Sequence, residues 1–460
     1  MNDRFFNLLK KYDVAGPRYT SYPTVPAWTA DVGEKDYAKS LGTLKPDEHL
    51  SLYFHIPFCE KLCHFCGCTK VITKDHSRSR EYVDLLKVEM ERVANLIPTK
   101  SRGVVQAQFG GGSPNYLQPE ELKEIVDTMR SLFTLLPDAE LSIEMHPRTS
   151  THAFCEMVAK LGFNRISLGV QDLDPKVQKL INRGQTSEQT EEMMGLLRSL
   201  GLRAFNFDLI YGLPGQTLEG WDRTHSQVLH LKPDRLAVYS YAHVPWLKPY
   251  QRSFEDKDLP PPELKLRLFE RAYETYTKNG YRLIGMDHFA LANDALSKAL
   301  DDGTVHRNFM GYSTKAEAHQ IGFGTSSISY VAENYFQNEK ENDTYYAAIR
   351  KKDHLASYRG YLLNQDDLIR RDLIRRIMCC SVLDIPAFEK QWGIEFKNYF
   401  AAELPLLSTF VQDGLLQVNP TEIRVTGEGF LFLRNMAMAF DRYLEGIRKK
   451  ATNPVFSRTV

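Results

Sequence analysis

The sequence has no net charge, because its 58 Lys and Arg residues are balanced by 58 Asp and Glu residues over 460 positions. No field of one sign therefore draws the whole molecule to nucleic acid or to an anionic membrane. An acidic substrate would have to meet a local group of basic residues, which these totals do not reveal.

The sequence also lacks the features of exported and membrane-spanning proteins. Its first residues, MNDRFFNLLKKYDVAG, have no basic start, apolar stretch or small-residue cleavage site. No uninterrupted apolar run approaches the ~18 residues that span a bilayer. We therefore expect a soluble cytoplasmic protein. Low-complexity segments are absent as well.

Cysteine is scarce and unevenly placed. The seven cysteines are Cys59, Cys63, Cys66, Cys68, Cys155, Cys379 and Cys380. The first four fall within ten residues, and in a reducing compartment such a group is more often a metal site than a disulfide framework. The last three lie among apolar residues on predicted helices, so we expect them to pack in the core.

Short apolar runs alternate with helical patterns between about residues 50 and 290. The predicted strands are 51–56, 104–109, 140–145, 165–170, 203–210, 235–241 and 281–286. The predicted helices are 79–95, 119–133, 150–161, 186–200, 218–231 and 262–279. Repeated βα units predict an α/β fold with a parallel sheet and right-handed crossovers. Polar and cysteine motifs recur after successive strands, which favours a partial parallel (βα)6 barrel over a flat, doubly wound sheet.

The pattern divides the chain into four segments. These are an irregular N-terminal arm (1–45), the barrel (46–295), a mixed extension and connecting segment (296–361), and a small, mostly helical C-terminal domain (362–460). The C-terminal domain includes a predicted strand pair around 415–418 and 422–426.

The main chemical motif is C-x3-C-x2-C at Cys59, Cys63 and Cys66, directly after the first predicted strand. Three closely spaced thiolates can ligate three irons of a cubane [4Fe-4S] cluster. The fourth iron then has no protein ligand, and the amino and carboxylate groups of S-adenosylmethionine (SAM) suit that open position.

A structural zinc site that adds Cys68 to these three cysteines is the alternative. Structural zinc usually takes its ligands as two separated pairs. Four thiols within ten residues, ending in C-x-C, would form a cramped tetrahedron, so the motif favours the cluster. Such a zinc protein would be colourless and contain no iron.

The residues 53–68, YFHIPFCEKLCHFCGC, resemble the oxygen-independent coproporphyrinogen III oxidases of bacteria. The likeness covers nearly the whole chain. It includes PRYTSYPT (17–24), GGGSP (110–114), NRISLGVQD (164–172), DLIYGLPGQT (208–217), GMDHFA (285–290), HRNFMGY (306–312) and FSR (456–458). The three-cysteine motif alone indicates only the radical SAM superfamily, whereas the C-G-C ending and the flanking blocks indicate this family.

The resemblance implies a reaction in haem biosynthesis. Two propionate side chains of coproporphyrinogen III would become vinyl groups, giving protoporphyrinogen IX. A 5′-deoxyadenosyl radical would remove a β-hydrogen, carbon dioxide would leave, and an unidentified acceptor would take one electron. A low-potential donor such as flavodoxin or ferredoxin, and a monomeric enzyme, are also implied. No acid–base catalytic residue is expected.

Several polar residues follow the predicted strands. GGGSP would let backbone amides approach a ligand, although a tight strand-to-helix turn explains the same glycines. It is not a phosphate loop, because no Gly-Lys-Ser/Thr follows. Glu144 ends the third strand, where a carboxylate is costly unless it binds a cationic or donor-rich group.

The resemblance implies which residues bind the cofactors. These are Tyr53, Phe65, Gly111, Gly112, Ser113, Glu144, Gln171, Arg183, Asp208, Ala242 and Ile328. Gly111 and Glu144 would contact the cluster-bound SAM. A second SAM would contact Gln171, Arg183 and Asp208, together with backbone near residues 112, 113 and 242. The sequence alone favours a core aromatic at Tyr53, and only the resemblance places it beside the cofactor. The family commonly has Asp where this chain has His146, so that position departs from the pattern.

A substrate with four carboxylates needs arginine or lysine partners. Arg18, in the arm, and Arg307, in HRNF, are the candidates. The arm is polar and aromatic, and we expect it to close over the tetrapyrrole.

A haem-handling chaperone of the same superfamily is the second functional hypothesis. Such relatives typically lack the PRYTSYPT arm and differ at Gly67-Cys68, so both features favour the oxidase. We take Cys68 to be a neighbour of the cluster and not a ligand.

Overall fold

The computed structural model describes residues 3–98, 102–315 and 318–459. The helices are α1 (Asp3–Tyr12), α2 (Glu34–Gly42), α3 (Ser77–Leu96), α4 (Pro119–Leu132), α5 (His152–Lys160), α6 (Pro175–Leu180), α7 (Ser187–Ser199), α8 (Leu218–Leu231), α9 (Pro262–Lys278), α10 (Ala295–Asp301), α11 (Asn342–Arg350), α12 (Gln365–Cys379), α13 (Ile385–Trp392), α14 (Phe396–Tyr399), α15 (Ser408–Gln412), α16 (Leu433–Met438) and α17 (Leu444–Lys450). Within the described residues, none of these helices has both the length and the apolar character needed to cross a membrane.

The strands are short and mostly buried. They are β1 (Leu50–Ile56), β2 (Phe58–Cys59), β3 (Val71–Ile72), β4 (Gly103–Gly111), β5 (Thr134–Met145), β6 (Arg165–Gln171), β7 (Ala204–Tyr211), β8 (Arg235–Ser240), β9 (Tyr281–Gly285), β10 (His288–Leu291), β11 (His306–Asn308), β12 (Gly311–Ser313), β13 (His319–Phe323), β14 (Ile328–Val331), β15 (Asn334–Asn338), β16 (Ser357–Leu362), β17 (Val382–Asp384), β18 (Leu416–Val418) and β19 (Glu422–Val425).

The chain forms two compact units. The larger contains Thr29–Arg271 and Glu317–Leu362, and the smaller contains Met1–Trp28, Ala272–Ala316 and Leu363–Val460. Each unit is therefore built from segments that are distant in sequence. The four-segment division stays a prediction.

The larger unit has a mostly parallel sheet. Within this unit the strand order is β16-β15-β14-β13-β1-β4-β5-β6-β7-β8, and every neighbouring pair from β13 to β8 is parallel. The register places Phe54 beside Phe109 and Phe323, and its ring stacks on theirs at centroid distances of 4.5 and 5.2 Å. Buried strands covered on both faces give the near-continuous apolar runs seen in the sequence.

The predicted six βα units are confirmed. Each predicted strand and helix between residues 50 and 290 matches an observed one within two residues at either end, except β5. That strand begins at Thr134, six residues before its predicted start, because β4 extends it by pairing with Thr134 and Leu135. The seventh predicted strand does not continue the parallel series, since β9 pairs antiparallel with β10 in the smaller unit.

The smaller unit contains the C-terminal helices, as predicted, with α12 packed against α16. The predicted strand pair is β18 and β19, and it gains a third strand, β17, which the sequence did not indicate. The prediction of an irregular arm was wrong in part, because it contains α1 and α2. Cys155 and Cys379 are buried as expected. Cys380 is partly exposed, because α12 ends before it.

A buried carboxylate holds the antiparallel extension to the first helix of the barrel. Glu89 on α3 is 1% exposed. It accepts hydrogen bonds from the Gly324 amide (2.7 Å), the Asn338 side chain (2.6 Å) and the Tyr345 hydroxyl (2.8 Å). Burial raises the pKa of Glu89 to about 7 despite these donors.

This shift makes the stability of the protein depend on pH. Between pH 5 and 7 the folded protein keeps a proton on Glu89 that the unfolded chain releases, so the free energy of unfolding falls as the pH rises. Glu89→Gln carries no such proton. Its free energy of unfolding, relative to the wild type, should therefore rise by about 2 kcal/mol from pH 5 to pH 7. Urea titrations at the two pH values measure this, and an unchanged difference would contradict it.

Candidate active site

The cysteine loop follows β1 and is closed at its base by a short ladder. Cys59 pairs with Ile72 through β2 and β3, and the Thr73 amide donates to the Cys59 carbonyl at 3.0 Å. The Val71 amide donates to the Pro57 carbonyl at 2.6 Å. The loop is therefore fixed at both ends. Cys59 lies at the first end, and Cys63 and Cys66 lie between the two.

The three motif cysteines line one cavity, of about 180 Å³. The Cys59 thiol lies 3.7 Å from the Ser113 hydroxyl, and an Arg183 guanidinium nitrogen lies 3.7 Å from the Cys63 sulfur. A cubane cluster takes each thiolate on a different iron, so its ligands must surround a common space. Cys59, Cys63 and Cys66 line such a space, and Cys68 lines it as well. In the described part of the chain, no three His, Cys, Asp or Glu side chains are grouped to hold a single metal ion.

The thiols of this loop have different proton affinities. Burial raises the pKa of Cys59 to about 11. The hydrogen bond from Cys68 lowers the pKa of Cys66, and the Lys70 ammonium lowers it further. Cys68 thus contacts a predicted ligand directly, as a hydrogen-bond donor.

Three side chains hold the backbone of the loop, two from elsewhere in the chain and one from the loop itself. The Asn182 amide donates to the Leu62 carbonyl at 2.9 Å, and Gln251 donates to the Phe65 carbonyl at 3.2 Å. The Lys70 ammonium reaches the Cys66 carbonyl at 3.4 Å. These contacts fix the loop where regular secondary structure does not.

Lys70 also pairs with an aromatic ring. Its ammonium donates to the Tyr250 hydroxyl at 2.9 Å and lies 4.4 Å from the centre of that ring. The Tyr250 hydroxyl in turn donates to the Cys66 carbonyl. These contacts hold the Lys70 ammonium against the cysteine loop.

The glycine turn after β4 packs directly on the cysteine loop. The Gly112 amide donates to the Ile56 carbonyl at 2.8 Å, and the Ser113 amide donates to the Phe58 carbonyl at 2.9 Å. A Cβ atom at position 112 would lie 2.8 Å from the Phe58 carbonyl oxygen. One at Gly111, which has φ +116°, would lie 2.7 Å from the His55 ring. The strand-to-helix turn thus explains these glycines by itself, and backbone approach to a ligand stays a prediction.

Two carboxylates face the cavity from β5 and β7, the strands on either side of β6. Glu144 accepts from the Gly111 amide at 3.3 Å and from Gln108 at 3.2 Å. Burial, and the nearby charge of Asp208, raise the pKa of Glu144 to about 7. Burial raises the pKa of Asp208 to about 6, although Asn206 donates to it. Two partly buried carboxylates whose charged forms are disfavoured by burial are suited to a cationic ligand.

Arg183 is buried and fully engaged by the protein. Its guanidinium donates to the Gly169 carbonyl and to the Gln185 side chain (3.1 Å), besides approaching Cys63. Only 6% of the residue is exposed. The arginine is therefore held in a fixed position against the Cys63 sulfur.

Eight of the eleven predicted cofactor-binding residues line this cavity. They are Phe65, Gly111, Gly112, Ser113, Glu144, Gln171, Arg183 and Asp208. Tyr53, Ala242 and Ile328 do not line it. The Tyr53 hydroxyl lies 3.2 Å from the His55 ring, Ala242 follows β8, and Ile328 begins β14.

The predicted substrate-binding residues lie together in the smaller unit. Arg18 forms an ion pair with Asp287, and the Arg307 side chain donates to the Arg18 carbonyl at 3.1 Å. Arg307 is 7% exposed and stacks over Tyr312, 4.7 Å from its centre. One of its terminal nitrogens is buried without a hydrogen-bond partner among the described residues.

The sequence analysis missed several residues that line the cavity, among them Lys70, Arg148 and Asn182. Each lies within four residues of a position that it did select. Arg148 could have been found from its place just after the carboxyl end of β5, and Lys70 from its place just after the cysteine motif, because parallel topology brings such loops together. Asn182 follows α6, and its only signal is its place beside Arg183.

His146 departs from the pattern and lines the same cavity. Its amide donates to Asn115 at 3.0 Å, and its ring accepts from the Arg148 amide at 3.2 Å. Burial, with Arg183 and Arg148 nearby, keeps the pKa of His146 well below its usual range. The ring is therefore neutral.

Residues 53–228 match the model of the radical SAM superfamily, and residues 363–432 match the HemN C-terminal domain. The oxygen-independent coproporphyrinogen III oxidase of Escherichia coli is 42% identical over 453 residues, covering 98% of each chain. That of Pseudomonas aeruginosa is 41% identical over 457 residues, covering 99% of this chain and 98% of its own. The solved structure of coproporphyrinogen III oxidase (HemN) from Escherichia coli, a radical SAM enzyme, matches with a TM-score of 0.91 and 40% identity, covering 95% of this chain and 98% of that one.

The contact between the glycine turn and the cysteine loop can be tested by adding one methyl group. In Gly112→Ala the Cβ meets backbone atoms of Pro57 and Phe58, which cannot move without displacing Cys59. Such overpacking costs about 1–3 kcal/mol. We expect a lower content of iron and acid-labile sulfide after anaerobic reconstitution. Gly67→Ala is the control, because a Cβ there meets nothing within 4 Å. Equal iron content in the two variants would contradict the prediction.

Proposed function

This chain belongs to the oxygen-independent coproporphyrinogen III oxidases, and we propose that it converts two propionate side chains of coproporphyrinogen III to vinyl groups, giving protoporphyrinogen IX. The likeness to these enzymes over nearly the full length is the observation that carries the proposal. The convergence of the motif cysteines on one cavity supports it.

Radical SAM enzymes use a [4Fe-4S] cluster and SAM. We assign one cluster to Cys59, Cys63 and Cys66, with the methionine group of SAM at the remaining iron. When bound, these cofactors supply the radical that removes a hydrogen atom from the β-carbon of a propionate. The residues of the chain then have three tasks, which are to hold the cofactors, orient the substrate and exclude water.

Glu144 is assigned to the cationic groups of the cluster-bound SAM, and Asp208 to those of a second SAM. Both carboxylates are partly buried and have raised pKa values, because burial disfavours their charged forms. A positively charged ligand would stabilise those charged forms. The backbone of Gly111 lies beside Glu144 and belongs to the same subsite.

A second SAM is assigned to Gln171, Arg183 and Asp208, together with backbone near residues 112, 113 and 242. All of these except Ala242 line the cavity. Two decarboxylations consume two SAM molecules, which is the chemical reason for a second subsite.

Aromatic and aliphatic residues are assigned to the apolar parts of the cofactors. Phe65 packs against a buried cluster that includes Ile181, Leu213 and Tyr241, so it can shield the cavity from water. Tyr53 and Ile328 are assigned by resemblance.

The substrate carboxylates are assigned to Arg18 and Arg307, and segment 1–45 to covering the substrate. The unpartnered nitrogen of Arg307 supports an anionic ligand there. We also propose the segment boundaries at residues 45, 295 and 361, a low-potential donor such as flavodoxin or ferredoxin, a separate terminal acceptor, and a monomer.

An anaerobic turnover assay tests the function. Cluster-reconstituted protein is supplied with SAM, a low-potential reductant, coproporphyrinogen III and a cell extract as electron acceptor. We expect protoporphyrinogen IX from the wild type, none from Cys63→Ala, and wild-type amounts from Cys380→Ala, whose cysteine lies in the smaller unit. Cys68→Ala should keep its cluster.

The outcomes separate the hypotheses. Haem binding without turnover would favour the chaperone, and zinc without iron would favour the structural metal site. Loss of the cluster from Cys68→Ala as complete as that from Cys63→Ala would make Cys68 a ligand.

Glu144→Gln tests the cofactor assignment. The amide keeps the shape of the side chain but loses its charge, so we expect about tenfold weaker binding of SAM or more. The dissociation constant is measured by anaerobic equilibrium dialysis with the cluster-loaded protein. Glu60→Gln is the control, because Glu60 lines the same cavity but pairs with His76. If SAM binding weakened equally in both variants, the loss of any negative charge in the cavity would explain the effect, and the assignment of Glu144 would be contradicted.

A further inference from the structure

Two arginines line the cavity, and their surroundings differ. The Arg183 guanidinium is engaged by Gly169, Gln185 and Cys63. The Arg148 side chain forms no hydrogen bond or ion pair with any part of the chain that the structure describes. Its Nε atom is nevertheless buried without a partner.

The other charged groups of the cavity do not neutralise Arg148. Glu144 accepts from Gly111 and Gln108, and Asp208 accepts from Asn206 and Ser167. Glu60 lies 3.5 Å from the His76 ring.

The imidazole ring of His146 is also unable to supply a negative charge. His146 accepts from the Arg148 amide and is neutral, as burial and the two arginines require. The chain therefore places a cation at the cavity wall with no anion of its own.

A partly buried guanidinium without an acceptor costs free energy, which an anion in the cavity would recover. The planar fork of arginine matches a carboxylate, to which it can donate two parallel hydrogen bonds. Both small molecules of the proposed function carry carboxylates, one on the methionine group of SAM and four on the tetrapyrrole.

We propose that Arg148 binds a carboxylate of a small molecule held in this cavity, on SAM or on a propionate of the substrate. The identity of the two ligands rests on the proposed function. Arg148 acts by binding the ligand.

The test compares ligands that differ only in the carboxylate. Cluster-loaded wild type, Arg148→Gln and Arg148→Lys are titrated anaerobically with SAM and with decarboxylated SAM. The same proteins are titrated with coproporphyrinogen III and with its tetramethyl ester. Arg148→Gln should weaken one carboxylate-bearing ligand by about tenfold or more. It should change the matching carboxylate-free ligand by less than about twofold, and Arg148→Lys should lie between, because it keeps the charge but not the fork.

The ligand that responds identifies the source of the carboxylate. Equal weakening of a ligand and its carboxylate-free partner would overturn the proposal in favour of a structural role. If Arg148→Gln turned over the substrate and bound both ligands as tightly as the wild type, the role of Arg148 would be overturned. The proposed function would still stand. A wild type that binds neither ligand would overturn both. Iron and sulfide contents equal to those of the wild type show that each variant has kept its cluster.

Discussion

The parallel alignment of successive strands is the constraint on which the site depends. Because β1, β4, β5, β6 and β7 run in one direction, their carboxyl ends meet at one edge of the sheet. The cysteine loop, the glycine turn, Glu144, Gln171 and Asp208 all come from that edge. No single loop contains the site, and a slip in register between two strands would separate its parts.

Within that frame, the cavity has an uneven distribution of charge. Glu144 and Asp208 form a side whose carboxylates are destabilised by burial, while Arg183 and Lys70 are held against the cysteine loop. The acidic side suits the amino and sulfonium groups of a zwitterionic cation, and the basic side suits thiolates and a carboxylate. Both kinds of charge are thus present before any ligand arrives, and Arg183 is near enough to Asp208 to lower its pKa.

Much of this could be predicted from the sequence, because apolar periodicity and cysteine spacing are local signals. The six βα units and the convergence of the motif cysteines are of this kind. Contacts between residues that are far apart in the sequence cannot be recognised from a local pattern. Glu89 meets Asn338, and Arg18 meets Asp287, only in the folded chain. The strands β13 to β16 were missed for the same reason, since short, mixed segments become strands through their neighbours.

The smaller unit begins with the first residues of the chain and ends with the last. Arg434 donates to the Pro17 carbonyl, and Ala15 pairs with Arg458. A ribosome adding roughly 5–20 residues per second needs tens of seconds to pass from one partner to the other. During that time the apolar face of α1, with Phe5 and Leu9, has none of its C-terminal partners. The apolar face of α1 must therefore stay free of aggregation until residues beyond 400 have been synthesised, whereas most of the larger unit has by then been available to fold.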